Sequence, residues 1–347
     1  MATQVNRPEI LPPGALDDYL ERGWYRIGPT MMTCRVVLMG GNLRSAVWTR
    51  VRLPGMRFRK SHRRTLSKVE SRFRVEIGPM KVDEEREALH RRYRTIARGE
   101  RPESLVGFLH GEGTDGSGLF DTREVRIFDG DRLAAFSWFD VGRVGLQSLI
   151  GVYDPCFGRY SLGFATMLYE VIYGMENGFE WFYPGYVLLG DPSMDYKLRL
   201  GGVERWDPDS GLWVPYEDPS PIDQPAERMR EALDLLVLDL NAADIETRME
   251  LYPSFELPAY CPEIAPCVRQ PLVVLCGAPH RALIHVVSYD VETGMYELQH
   301  CVRAVAITQG ADGSAGARLP VYKVVGTMRR SSDPAAIVRA VRETSFQ

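Results

Sequence analysis

Two tyrosines and a lysine lie close together in the middle of the sequence, with side chains that can act on a polar substrate. Tyr183 and Tyr186 flank Gly185 at the end of a predicted strand, and Lys197 follows shortly after. A phenol there can donate a hydrogen bond to a reacting carbonyl or to a departing oxygen. Lys197, together with Arg123, can bind an acidic side chain or a phosphate. Packing of the tyrosines in the core and solvation of the cations are the alternatives.

Two carboxylates and one predicted helix start add to this set. Asp140 and Asp154 can each orient an amine, although Asp154, which precedes Pro155, can instead simply form a turn. Ser161 is a good helix N-cap, and the backbone N–H groups behind it suit a phosphate, a ribose or a developing oxyanion. An ordinary helix cap is the alternative.

A basic run, residues 50–74, precedes all of these. It contains ten Arg or Lys residues and one acid, Glu70. Residues 207–263 reverse the balance, with 14 acids against three arginines. The chain as a whole has a formal charge of −4, which argues against a general nucleic-acid coat but leaves room for a local anion-binding surface. A solvated loop and helix face is the alternative for the basic run.

Composition predicts a soluble globular protein. The 347 residues are 45% apolar and 25% charged, which excludes disordered, collagen-like and coiled-coil classes and allows two or three domains. Because the first residues lack a signal-peptide pattern and no apolar stretch is long enough to span a bilayer, we expect a cytoplasmic protein that does not bind membranes. Cys261, Cys267, Cys276 and Cys301 match no common zinc spacing, so no metal site is expected.

The middle of the chain predicts an α+β layer. A helix is expected over residues 82–100, followed by a glycine-rich loop at 111–118. Strands at 125–128 and 134–139 are joined by the turn Asp129-Gly130-Asp131, and a strand at 147–153, a helix from about Ser161 to Gly178 and a strand at 179–183 follow. This order suits an acetyltransferase-like core with a mixed sheet.

The last third of the chain predicts a second α+β part behind a proline-containing linker, residues 219–226. Helices are expected at 229–240 and 334–343. Strands are expected at 272–276, 282–289, 296–300 and 321–325, with a flexible loop at 310–316.

Five segments in order resemble one protein family. They are Arg59-Lys60-Ser61-His62-Arg63-Arg64; Phe120-Asp121-Thr122-Arg123; Ala134 to Val141; Val152-Tyr153-Asp154-Pro155 with Ser161-Leu162-Gly163; and Tyr183-Pro184-Gly185-Tyr186 before Met194-Asp195-Tyr196-Lys197. Together they look like the aminoacyl-tRNA protein transferases, the arginyl- and leucyl-transferases that extend protein N-termini. The resemblance covers residues 20–214.

The resemblance implies an aminoacyltransferase with an acetyltransferase-like (GNAT) core. It implies transfer of an amino acid, arginine or leucine first, from aminoacyl-tRNA to the N-terminal α-amine of a protein or peptide, as in protein arginylation and the N-degron pathway. Catalytic candidates are Tyr183, Tyr186, Asp140, Asp154 and Lys197. Candidates for binding tRNA or substrate are Arg59, Lys60, Ser61, Arg63, Arg64, Arg123, Tyr153, Arg159, Ser161, Gly163 and Tyr196. The basic run would hold the acceptor stem mainly through phosphates. DNA is not an expected partner.

The sequence also departs from the family pattern. Gly23-Trp24 is followed by one cysteine, Cys34, where the family has a cysteine cluster, so no iron-sulfur cluster and no resident cofactor are expected. His62 and Pro184 occupy altered motif positions, and nothing after about residue 219 resembles the family. We expect an N-terminal segment at 1–80, a catalytic domain at 81–218 and a C-terminal domain at 219–347. A coenzyme A-dependent acyltransferase, or one that modifies a small-molecule amine, and a non-catalytic tRNA- or protein-binding adaptor are the alternatives.

Overall fold

The helices and strands are taken from a computed structural model that describes residues 3–12, 14–97, 102–110, 119–217, 222–277, 283–309 and 315–345. The predicted loop at 111–118 and most of the one at 310–316 lie outside these residues. The helices are α1 (Ala15–Glu21), α2 (Lys60–Glu70), α3 (Glu84–Arg94), α4 (Leu105–His110), α5 (Leu162–Glu176), α6 (Pro225–Ala242), α7 (Leu257–Tyr260) and α8 (Pro334–Ser345). The strands are β1 (Thr3–Asn6), β2 (Tyr25–Ile27), β3 (Thr30–Cys34), β4 (Val36–Met39), β5 (Asn42–Arg52), β6 (Arg74–Pro79), β7 (Thr122–Asp129), β8 (Arg132–Val141), β9 (Gly145–Tyr153), β10 (Trp181–Leu188), β11 (Val203–Asp207), β12 (Leu212–Pro215), β13 (Thr247–Leu251), β14 (Leu272–Cys276), β15 (Leu283–Asp290), β16 (Met295–Gln309) and β17 (Ala315–Ser331).

The chain forms two compact units. The larger unit comprises residues 6–33 and 47–222, and the smaller unit comprises residues 1–5, 34–46 and 223–347. The linker predicted near residue 219 therefore precedes the last and longest segment of the smaller unit. The three-part division at residues 80 and 218 stays a prediction.

The larger unit is built on one mixed sheet in the order β12-β11-β5-β10-β9-β8-β7-β6. The β6-β7-β8-β9 pairs are antiparallel, whereas β9 and β10 run parallel. Gly130 adopts a positive φ of 62° in the turn between β7 and β8, which confirms the predicted hairpin and explains the glycine. The mixed α+β class expected from the sequence is confirmed.

Helix α5 packs on this sheet and confirms the predicted helix between Ser161 and Gly178. Its sequence, LGFATMLYEVIYGME, is apolar on nearly all sides, and Leu162, Leu168 and Val171 are completely buried in a core shared with the strands. A 3-10 helix at Pro155–Tyr160 leads into it. Helix α5 is therefore a core helix, with little exposed surface before its last turn.

Helix α3 is shorter than the predicted span of residues 82–100. It begins after Asp83, whose side chain accepts a hydrogen bond from the Arg86 N–H, and it ends at Arg94. Ile96 follows the helix and is 47% exposed, so it does not belong to the apolar face that Leu89 forms. The predicted span was too long because the apolar spacing continues past the last helical turn.

The smaller unit contains an antiparallel sheet in the order β13-β14-β15-β16-β17. Residues of α6 and α8, among them Met229, Leu233 and Ile337, form a core with the buried side chains of β14 and β15. All six elements predicted for residues 229–343 are present, and β16 and β17 extend further than expected, as one long hairpin. Among the described residues, no helix has the length and apolar character needed to cross a bilayer.

Candidate functional site

A cavity of about 590 Å³ lies within the larger unit. Its walls come from β9, from the first half of α5, from the middle of β10 and from the 3-10 helix at Pro192–Leu200, with Tyr25 of β2 closing one side. Polar and apolar groups both line it. Such a concave site with a few polar side chains is the usual form of a small-molecule or chain-end binding site.

The cavity begins where two parallel strands stop pairing. Pairing between β9 and β10 ends at Tyr183↔Gln147, and the cavity-lining residues Ser148 and Pro184 come directly after this pair. Pro184 has no backbone N–H and so cannot donate to a continued ladder. The two strands therefore stop pairing with each other at the start of the cavity.

Gly185 continues this wall with a backbone conformation that favours glycine. Its φ is +93°, and a Cβ at this position would lie 3.2 Å from Lys197 Nζ and 3.3 Å from the Tyr25 ring. Thr49 Oγ1 donates a 2.6 Å hydrogen bond to the Gly185 carbonyl. The glycine therefore lets a lysine and a tyrosine approach the strand closely.

Aromatic rings form one side of the cavity. Tyr25 packs against Trp48 with ring centroids 5.2 Å apart, and Tyr186 meets the same tryptophan edge-on at 5.2 Å. Lys197 Nζ lies 5.3 Å from the Tyr186 ring centroid and donates a 2.7 Å hydrogen bond to the Tyr186 carbonyl. The Tyr25 hydroxyl donates to the Ser148 carbonyl, and burial raises the pKa of that phenol well above its usual value.

Glu170 is the one acidic side chain among the residues that line the cavity, as far as the structure describes the chain. Its carboxylate is fully buried, and neither Oε1 nor Oε2 has a hydrogen-bond partner of normal geometry. Burial raises the pKa of Glu170 to about 8, with the hydroxyls of Ser137 and Ser148 acting in the opposite direction. A buried carboxylate in this state can bind a cation or accept a proton near neutral pH.

Six of the residues predicted from the sequence come together at this cavity. They are Tyr153, Ser161, Gly163, Tyr186, Tyr196 and Lys197. Ser161 occupies the predicted N-cap position of α5, but it adopts a left-handed conformation and its side chain makes no cap hydrogen bond. Gly163 allows the Tyr153 ring to approach, since a Cβ there would lie 3.2 Å from that ring. The catalytic and binding roles of these residues stay predictions.

Tyr183 and Asp140 are buried beside the cavity but do not line it. Tyr183 packs edge-on against Trp213 at 5.7 Å, and burial raises its pKa to about 12. Asp140 accepts hydrogen bonds from Arg26 at 2.7 Å and from Thr122 at 2.6 Å. Burial raises the pKa of Asp140, although the Arg26 guanidinium opposes this shift. These contacts fit the core-packing alternative for Tyr183 and a structural ion pair for Asp140.

Asp154 also lies outside the cavity wall and has the turn geometry considered for it. Its carboxylate accepts from the Cys156 N–H at 3.0 Å and from Arg92 at 3.2 Å, and it forms an ion pair with Arg132. Burial opposes its charge, but the hydrogen bonds from Cys156 and Arg132 hold its pKa below the ordinary value. Asp154 thereby fixes the start of the 3-10 helix that leads to α5.

The basic run forms the exposed face of α2 and the loop before it. Arg57, Arg59, Lys60, Ser61, Arg63, Arg64 and Lys68 are all exposed. On the opposite face His62, Leu66 and Val69 are buried, and the His62 ring lies 5.8 Å from Phe164, a cavity residue. Lys68 Nζ donates to the Arg159 carbonyl, between the cavity residues Gly158 and Ser161. The basic face of α2 therefore adjoins one wall of the cavity.

The remaining predicted cations lie at the surface. Arg123 pairs with Asp121 at 2.9 Å, and Arg159 donates to the Tyr160 hydroxyl at 3.0 Å. Neither lines the cavity. In the described parts of the chain, the cations of α2 form no ion pair with a carboxylate, which leaves Lys60, Arg63 and Arg64 available to an external anion.

Sequence reasoning missed Tyr25 and Glu170. The sequence does contain a signal for Glu170. It is the one charged residue of α5 before Glu176, at the end of the helix. The cavity-lining residues Gly163, Thr166, Met167 and Glu170 follow the i, i+3, i+4, i+7 spacing of one helix face. Tyr25 offered no such signal, because strand β2 has three residues and lies far from the cavity in sequence.

A comparison with known protein families finds a match to the part of the chain that forms the cavity. A family model described as "Arginine-tRNA-protein transferase, C terminus" matches residues 82–207. This segment contains every described residue that lines the cavity except Tyr25 and Ile27. The matched segment and the cavity thus coincide, whereas α2 and the smaller unit's long C-terminal segment lie outside the match.

Curated relatives bear the same kind of name. The chain is 27% identical over 193 residues to an aspartate/glutamate leucyltransferase of Helicobacter hepaticus, an alignment that covers 53% of this chain and 76% of that protein. It is 31% identical over 107 residues to an aspartate/glutamate leucyltransferase of Leptospira interrogans, covering 29% of this chain and 41% of that one.

Among solved structures, L-PGS from Bacillus licheniformis overlaps 43% of this chain and 48% of its own, with a TM-score of 0.32 and 11% identity. The segment that forms the cavity is thus similar to the arginine-tRNA-protein transferases, and parts of the chain are similar to two aspartate/glutamate leucyltransferases.

Proposed function

We propose that this protein transfers an amino acid from aminoacyl-tRNA to the N-terminal α-amine of a protein or peptide, with leucine as the transferred residue. The observation that carries the proposal is a cavity that adjoins a basic helix. The charged 3′ end of a tRNA would enter the cavity while the phosphates of the acceptor stem contact α2. The chain spans 41% of the Leptospira relative, so the full activity of such enzymes is part of the proposal.

The donor side chain is proposed from the lining of the cavity. Ile27, Leu149, Ile150, Phe164 and Met167 contribute apolar surface to it. A leucine side chain would bury apolar area against these residues, at roughly 25 cal/mol per Å². The names of the relatives, aspartate/glutamate leucyltransferases, support leucine over arginine.

The acceptor is proposed to carry an acidic N-terminal residue. Lys197 lies at the cavity with its ammonium group beside the Gly185 backbone and the Tyr186 ring. A Lys ammonium group can bind an aspartate or glutamate side chain. The relatives' names, which specify aspartate and glutamate, support the same acceptor.

The reaction itself is aminolysis of an ester. The acceptor amine attacks the aminoacyl carbonyl carbon, a C–N bond forms, the ester C–O bond breaks and the ribose hydroxyl leaves. Because the ester is already activated, positioning of the two substrates would supply much of the rate enhancement. A hydrogen bond from the Tyr186 hydroxyl to the carbonyl or ribose oxygen would stabilise the charge that develops there.

This reaction as proposed requires no resident cofactor. Residues 23–34 contain the single cysteine Cys34, and burial raises the pKa of its thiol. One buried thiol does not provide the ligand set of an iron-sulfur cluster. An acetyltransferase-like core is likewise proposed, supported by the parallel β9-β10 pair that separates at the cavity. Charged tRNA is a cytoplasmic substrate, so we propose action in the cytoplasm.

The proposal is tested by incubating the purified protein with tRNA charged with labelled leucine or labelled arginine. Peptides with acidic, basic and apolar N-termini serve as acceptors, and an RNase-treated sample is the control. We expect RNase-sensitive transfer of leucine to the acidic peptides. Transfer from acetyl-CoA to the same peptides instead would support the coenzyme A alternative. Binding of tRNA without transfer to any peptide would support an adaptor.

A further inference from the structure

The burial of the Glu170 carboxylate is not explained by the contacts that it makes within the protein. It lies on the cavity-facing side of α5 and is fully buried, and among the described residues neither carboxylate oxygen has a paired cation or a hydrogen-bond partner of normal geometry. A buried carboxylate without a paired cation is destabilising when charged, and natural cores rarely retain one without a use. The other fully buried carboxylates of this unit differ, since Asp140 pairs with Arg26, Glu124 with Arg86 and Asp154 with Arg132.

We propose that the Glu170 carboxylate binds the α-ammonium group of the acceptor chain and takes its proton before the amine attacks. The inference rests on the transferase function proposed above and names the group that prepares its nucleophile. The acceptor is favoured over the donor because its nitrogen must lose a proton to react, whereas the donor's α-ammonium group need not.

The proton and bond balance is closed without any further reagent. An ammonium N–H bond breaks, the proton passes to a Glu170 oxygen, and the freed lone pair forms the new C–N bond. After attack the nitrogen loses a second proton, and the ribose oxygen takes up this proton as the ester C–O bond breaks, so that the products are an amide and a hydroxyl. Glu170 ends the cycle charged again once it releases its proton to solvent, which is the one proton that the whole reaction releases.

Burial prepares Glu170 for this role. Its pKa of about 8 matches the reference value for an α-amino group, about 7.7 to 8.0, so that proton transfer between them is nearly balanced. The hydroxyls of Ser137 and Ser148, from β8 and β9, are placed to support the charged form. The other titratable groups that line the cavity are Tyr25, Tyr93, Tyr153, Tyr186, Tyr196 and Lys197.

The first test is binding of a short acidic peptide with a free N-terminus, measured by calorimetry together with its N-acetylated form. The variants are Glu170→Gln, which keeps the shape and removes the charge, and the control Glu176→Gln, an exposed acid at the end of the same helix. We expect at least about tenfold weaker binding of the free-amine peptide to Glu170→Gln. Binding to Glu176→Gln should match the wild type.

The second test is the pH profile of transfer. We expect Glu170→Gln to lower kcat/KM by about 10²–10⁴-fold and to change the acidic limb of the profile, as removal of a general base does. A melting temperature at or above that of the wild type shows that the variant is folded. A variant with a structural role alone would lose stability and activity together with an unchanged pH profile.

Three results would overturn the inference. They are equal binding of the free-amine peptide to wild type and Glu170→Gln, equal binding of free and acetylated peptides to the wild type, and Glu170-dependent binding of leucinamide or arginine in place of the peptide. The last would assign the carboxylate to the donor. Glu170-dependent peptide binding without transfer from any charged tRNA would uphold the amine site and refute the proposed function instead.

Discussion

The cavity wall and the β7-β8 side of the same sheet differ in the partners that they provide for a buried acidic side chain. On the β7-β8 side, Glu124 accepts from both the Nε and Nη2 atoms of Arg86, at 2.5 and 2.8 Å. On the cavity wall, Glu170 forms no ion pair and has no hydrogen-bond partner of normal geometry within the part of the chain that the structure describes. The difference teaches that burial alone does not mark a functional carboxylate. An acid that is paired with a cation of the fold has a structural role, whereas Glu170, which lacks such a pair among the described residues, is the acid proposed to bind a substrate.

The largest effect on stability is expected from breaking the ion pair between Glu124 and Arg86. Glu124→Gln leaves the Arg86 guanidinium, 3% exposed, with Asp83 as its remaining carboxylate partner. Removing one member of a buried pair costs about 3–5 kcal/mol. We expect the free energy of unfolding, measured by urea denaturation at pH 7, to fall by this order. A loss below about 1 kcal/mol would show that the pair is not structural.

Glu170→Gln should change stability in the opposite direction, and in a way that depends on pH. In the folded protein the pKa of Glu170 is about 8, above its ordinary value, so folding favours the protonated acid. The wild type therefore loses stability as pH rises from about 4.5 to about 8, and the loss is complete above that window.

The measurement compares urea denaturation of the wild type and Glu170→Gln at several pH values between 5 and 9. We expect the variant to become the more stable of the two as pH rises. Parallel stability curves over the whole range would contradict the assignment of a raised pKa to this carboxylate.

A smaller effect is expected from Gly185→Ala on the cavity wall. The positive φ and the approach of Lys197 and Tyr25 should together cost about 1–3 kcal/mol and displace the lysine. Gly178→Ala is the matched control, since Gly178 also has a positive φ but has nothing within 4 Å of its added Cβ. We expect Gly185→Ala to lose more stability than Gly178→Ala. We also expect Gly185→Ala, and not Gly178→Ala, to lose transfer activity. Equal losses would mean that backbone strain is the entire effect.

The smallest effect on stability, within about 0.5 kcal/mol, is expected from the double variant Arg63→Ala/Arg64→Ala on exposed α2. Its effect should be on tRNA binding, with the slope of log K against log salt reduced by about 1–2. Arg329→Ala/Arg330→Ala, two exposed arginines of β17, is the control. An unchanged salt slope for the α2 variant would remove this helix from the tRNA-binding surface.

The sequence could predict the elements better than the site they form. Alternating apolar residues and the Asp129-Gly130-Asp131 turn were enough for the β7-β8 hairpin, because both signals are local. Tyr183 and Tyr186 look equivalent in sequence, yet one packs against Trp213 and the other lines the cavity. Which residues of a strand line the cavity depends on where β9 and β10 stop pairing. That point is a long-range property of the sheet.

The carboxylates show the same limit. Asp140 and Asp154 adjoin recognisable motifs in the sequence, whereas their partners Arg26 and Arg92 come from distant segments. Sequence spacing cannot reveal a neutralising partner more than 60 residues away, nor can it reveal that Glu170 has none. The identity of a buried acid's partner thus required the fold.

The order in which the chain contributes to its two units bears on how the protein can be divided. Residues 34–46 lie between two segments of the larger unit, yet Val36 and Leu43 belong to the same core as Met229 and Leu272. Truncation at residue 222 would therefore remove the core residues, Met229 and Leu272 among them, against which Val36 and Leu43 of this β4-β5 hairpin pack. The C-terminal third is not a detachable module, and any shortened version of the protein must remove or redesign residues 34–46 as well.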